Sequence, residues 1–154
     1  MSYRPYNILI SQAVEASAAA SSSALSYPLT NGSGGPISAL TPVTLNSDGD
    51  FKSIDVSVEL DALRTVGVTS ESVLNATEGP VVGFGRMANV ITSFVHGDVL
   101  YVSKTGTLTT TLPDIGVGGF EAGDFVIKIG KISKNQTNPV NKDLIVQVEL
   151  VGQL

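Results

Sequence analysis

From Ser38 to the C-terminus, short runs of Val, Ile, Leu, Phe and Thr are cut every ~8–12 residues by Gly, Asn, Asp or Pro. This punctuation constrains the fold more than any other feature of the chain. Runs so brief rarely make helices, and no strand-to-helix alternation of the kind a doubly wound α/β sheet needs is present. Evenly spaced short strands instead predict an all-β fold, a compact barrel or sandwich. Asp48-Gly49 sits between Leu40–Leu45 and Phe51–Val56, which is a hairpin signal because both residues accept positive φ. Further strands are predicted at Thr65–Thr69, Val81–Phe84, Asn89–Phe94, Val99–Val102, Leu108–Leu112, Gly123–Ile129 and Leu144–Val151, with one helical turn near Val56–Leu63. Several of these place Val and Ile at successive positions, which implies burial on both strand faces.

The pattern changes before residue 36. Residues 1–36 contain Tyr3-Arg4-Pro5-Tyr6, the apolar run Ile8-Leu9-Ile10, an Ala/Ser tract from Ala16 to Ser26, and Asn31-Gly-Ser-Gly-Gly-Pro36. The tract has no broad apolar face, so a helix there would gain little from packing. The expectation is an extended N-terminal arm over 1–36, ending in a Gly-rich hinge, followed by a β-barrel domain over 37–154.

Composition narrows the function. Charged residues are 15% of the 154, well under the ~25% of ordinary domains, which fits either a surface covered by a neighbouring subunit or a Ser/Thr/Asn-rich surface that stays soluble with few charges. Net charge is −5 and the nine Lys and Arg are scattered, which argues against a nucleic-acid partner. The absence of cysteine excludes disulfides and thiolate chemistry. No apolar stretch is long enough for a membrane-spanning helix, and Ile8–Ile10 is too short for a signal peptide. The expectation is a soluble, unsecreted chain.

Four arrangements invite a chemical reading, and each has a simpler one. Gly83-Phe-Gly85-Arg-Met-Ala88 matches the dinucleotide fingerprint but continues into β-favouring residues rather than a helix, so a strand bend or bulge explains it. Asn46-Ser-Asp-Gly-Asp50 opens like a calcium loop, yet Phe51 and Ser57 occupy the positions that need Gly and a bidentate Glu. His96 is the only histidine; a triad with Asp98 or Asp114 lacks the nucleophile elbow that would accompany it. Glu71, Glu78, Asp114, Glu121 and Asp124 sit beside turn residues, where backbone capping accounts for them. A sugar site would want aromatic platforms, and aromatic residues are 6% with no Trp. No catalytic residue, cofactor or metal is therefore expected.

The phrases Leu40-Thr-Pro-Val-Thr-Leu45, Asp48-Gly49, Val66-Gly-Val68, Gly79-Pro-Val-Val82, Gly97-Asp-Val-Leu-Tyr-Val102, Ser103-Lys-Thr-Gly-Thr-Leu108 and Gly123-Asp-Phe-Val126 follow one another in that order. Together they resemble small β-barrel structural proteins of bacteriophages, in particular head-decoration (capsid cement) proteins. The resemblance runs from about Leu40 to the C-terminus. It implies a non-enzymatic virion protein, made in the host cytoplasm, that joins the outer capsid surface. There it would bridge major capsid protein subunits as a homo-oligomer, for which three-fold sites suggest a trimer. Tail, fibre or baseplate components of such particles are the alternative, followed by a carbohydrate- or receptor-binding β-module. In the arm, Tyr3, Arg4 and Tyr6 are the expected interface anchors, since Tyr and Arg are enriched at binding hot spots, with Ile8 and Leu9 supplying apolar contact.

Overall fold

The computed structural model describes residues 23–154. The fold is nearly all-β, an antiparallel sheet curled into a half-barrel. Its strands are β1 (Ser23–Thr30), β2 (Pro42–Leu45), β3 (Phe51–Ser53), β4 (Thr65–Thr69), β5 (Glu78–Met87), β6 (Val99–Val102), β7 (Leu108–Thr109), β8 (Phe125–Lys134) and β9 (Lys142–Gln153). One short helix, α1 (Glu59–Leu63), precedes β4. The order across the sheet is β3-β2-β4-β5-β9-β8-β6-β7, with β1 joined to β5.

The sheet forks at β5. Val82 pairs with both Ser26 and Val68, and Phe84 with both Leu25 and Gln147. β1 therefore occupies one edge of β5, while β4 and β9 share the other. The register with β1 steps from Leu25–Phe84 to Ser26–Val82, leaving Gly83 as an extra residue on β5. This bulge has a consequence for packing. Val82 and Met87 are five residues apart and would face opposite ways in a regular strand, yet both enter the main core. Gly85 has φ +101°, and a Cβ there would run into the Ser23 carbonyl oxygen.

Two apolar clusters hold the sheet. The larger one centres on Leu100, Val102, Ile127, Ile129, Leu144 and Val146 from β6, β8 and β9. The smaller gathers Ile37, Val43, Phe51, Val73 and Val81. Val81 and Val82 point into different clusters, so both faces of β5 are buried there, as their succession implies. The β2–β3 hairpin closes as the Asp-Gly signal predicts. The Asn46 side-chain oxygen accepts the amides of Asp48 (2.9 Å) and Asp50 (3.0 Å), and Gly49 takes φ +87°.

Three expectations need correction. The boundary at residue 36 is not a divide between arm and domain. Ser23–Thr30 is a strand of the sheet, and the segment after it is pinned rather than hinged. Asn31 is fully buried, donates to the Gly35 and Val73 carbonyls (both 2.9 Å), and receives the Ser33 amide (3.0 Å). Residues 89–94 are not a strand: Asn89 adopts φ 55°, and both edges of β9 nearby are already taken by β5 and β8. The strand expected over Leu108–Leu112 stops at Thr109, where its hydroxyl receives the Thr111 amide.

Candidate docking surfaces

Among the described residues, Asp61, Asp124 and Asp143 are the buried acids, and each is tied to a cation and to backbone. Asp61 meets Lys52 Nζ at 2.6 Å and accepts the Asp55 amide at 3.0 Å. Asp124 receives Lys104 Nζ at 2.6 Å and the Glu121 amide at 2.8 Å. Asp143 accepts Arg86 Nη1 at 2.7 Å, Asn135 Nδ2 at 2.9 Å and the Asn89 amide at 3.0 Å.

These contacts set the ionisation. Burial alone would raise the Asp143 carboxyl, but the hydrogen bonds from Asn135, the Asn89 amide and Arg86 outweigh it and hold it below its ordinary value. Asp124 is lowered in the same way, burial being overcome by Lys104 and the Glu121 amide. Lys104 is raised in turn by its hydrogen bond to Asp124. Asp55, near the surface, is lowered by the Ser57 hydroxyl and amide. Through their partners Asp61, Asp124 and Asp143 each tie separate stretches of chain together and serve as clamps. No buried side-chain nitrogen or oxygen among the described residues lacks a partner.

The other motifs also resolve into structure. Gly83 and Gly85 lie inside β5, where no helix N-terminus follows to hold a pyrophosphate. Asn46–Asp50 is the hairpin turn already described. His96 sits exposed in a turn with Nε2 3.2 Å from the Asn141 carbonyl oxygen. Its neighbour Asp98 caps that turn by accepting the Val95 amide at 2.8 Å, and Asp114 accepts the Ile115 amide at 2.8 Å. Glu71, Glu78 and Glu121 are exposed. No group of three or more potential metal ligands gathers among the described residues.

What the described surface does offer is apolar area. On β1 and β5, Leu25 and Phe84 are direct cross-strand partners, and they are 56% and 59% exposed. Tyr27 lies beside them, its ring over Gly83, where a Cβ would come within 2.6 Å of it. Glycine at position 83 thus lets the ring lie close against the strand. A second feature is a groove of about 560 Å³ between β1, β5 and the loops at Ala39–Leu40 and Ala88–Ile91. Beside it, Ile91 and Val140 rim a smaller depression. Tyr3, Arg4, Tyr6, Ile8 and Leu9, the anchors expected from sequence, lie outside the described residues. The Leu25–Phe84 pair carries no signal in the sequence, because Leu25 lies in the Ala/Ser tract expected to be arm and becomes Phe84's neighbour only when β1 pairs with β5.

No family model and no curated protein matches the chain.

Proposed function

We propose that the protein is a non-enzymatic structural module of a virus particle, decorating and stabilising the capsid shell by docking on major capsid protein subunits. The observation that carries this reading is the exposed strip of Leu25, Phe84 and Tyr27 on the β1–β5 sheet, in a chain with only 15% charged residues. Exposed apolar side chains gathered on two paired strands suit a protein–protein contact and suit free solution poorly. The buried acids support it from the other side, since all three serve as internal clamps. A half-barrel cross-linked by such clamps is a rigid platform, and rigidity lowers the ordering cost of docking. The order of β-turn phrases from Leu40 onward, which resembles capsid cement proteins, supplies the particle context.

The test is immunogold labelling of phage particles from a lysate that contains the chain, with antibody raised against it. Gold spread over the heads is the expected result. Gold confined to tails would move the protein to a fibre or baseplate, and unlabelled particles with antigen only in the lysate would reject the reading.

A further inference from the structure

The groove is the most specific unexplained feature of the molecule. Its floor is main-core side chain, Val82 and Met87, and its walls include Ala24, Leu40 and Val90, which pack half-buried against the same core. It is therefore a place where the half-barrel leaves its interior open. No charged residue lines it. Two lining residues, Leu40 (φ 59°) and Asn89 (φ 55°), hold left-handed backbone, and for a leucine that conformation is an outlier which the surrounding structure must maintain. At its rim Ile91 is 96% exposed, an extreme value for an isoleucine beside a core opening.

We propose that this groove is the seat of the chain's own N-terminal apolar run, Ile8-Leu9-Ile10. The run is aliphatic and uncharged, flanked by Asn7 and Ser11, as the groove is aliphatic at its floor and edged by Ser26, Ser70 and Asn89. Connection favours it. Ala24 lines the groove, so β1 begins at the groove wall. Residues 11–22 are the linker, and twelve residues span up to ~40 Å when extended, more than a return to that wall requires. A tethered segment of this length acts at a millimolar effective concentration, which favours it over the same segment of a second copy in dilute solution. The inference does not depend on the virion reading: a chain found on no particle would still carry this contact.

The absence of cysteine makes a direct test available in the full-length chain. Ser70 is an exposed lining residue, and Leu112, 60% exposed beside β7 at the far end of the sheet, is the control. Asn7→Cys is paired with Ser70→Cys or with Leu112→Cys, and disulfide closure is timed by non-reducing electrophoresis and peptide mapping. The Ser70 pair is expected to close within the monomer about tenfold faster than the control, the factor that ~1.4 kcal/mol of docking gives. Adding Leu9→Asp should bring it down to the control rate. Equal rates for the two pairs, covalent dimers as the main product, or indifference to Leu9→Asp would each overturn the assignment.

Discussion

Asp143→Ala gives the sharpest test of how the half-barrel is held. The side chain is fully buried and receives three donors from three segments: Arg86 on β5, the Asn89 amide in the loop after it, and Asn135 in the turn before β9. Removing one partner of a buried ion pair costs ~3–5 kcal/mol, because the remaining charge loses its compensation. Here the Arg86 side chain is 23% exposed and also reaches Ser133 Oγ (3.2 Å) and the Lys134 carbonyl (3.3 Å). Those contacts place the expected loss at the low end, about 3 kcal/mol. For a chain of this size that lowers Tm by roughly 6–12 °C, measured by circular dichroism at neutral pH. The sign of the pH dependence follows from the lowered carboxyl. Its contribution is complete above the ordinary value of 3.8 and disappears as pH falls through the depressed folded value. The gap between wild type and variant should hold steady from about pH 5 to 8 and narrow below about pH 4. A Tm within ~1 °C of wild type, or a gap indifferent to acid, would refute the clamp.

Three further outcomes are expected. Asn31→Ala should cost about 1–3 kcal/mol in urea denaturation, since it abandons the Val73 and Gly35 carbonyls; a silent substitution would mean that residues near 31 do not belong to the folded unit. Gly130→Ala drives a Cβ into the Ile145 carbonyl oxygen across β8–β9, and should destabilise by at least ~1–3 kcal/mol, with an unchanged urea midpoint contradicting that close approach. Phe84→Glu changes an exposed residue, so Tm should stay within a few degrees while binding of the full chain to particles, measured by co-sedimentation, falls at least about tenfold. Undiminished binding would remove the Leu25–Phe84 strip from the contact.

Much of the architecture was legible in the residues. Asp48-Gly49 announces its hairpin because Gly49 accepts the positive φ the turn needs and Asn46 caps it, and the successive Val81-Val82 announces a strand buried on both faces. Local backbone chemistry fixes such features, so they are written where they occur. The strand expected at 89–94 shows the limit of that reading. Its β-favouring residues lie beside β9, both of whose edges are already taken, and which edges are taken is a property of the assembled sheet. The same holds for Ser23–Thr30, whose Ser-rich sequence gives no strand signal of its own and pairs because β5 presents an edge to it. The Asp143 clamp joins residues 86, 89, 135 and 143, which no sequence spacing connects. The groove opens over Val82 and Met87, which share a face of β5 only through the bulge at Gly83. Residue type and nearest neighbours settle the β class, the Asn46–Asp50 turn and the lack of thiol chemistry. The tertiary structure alone decided which carboxylates are clamps, which apolar residues reach the surface and where the core lies open, because each depends on contacts between segments far apart in the chain.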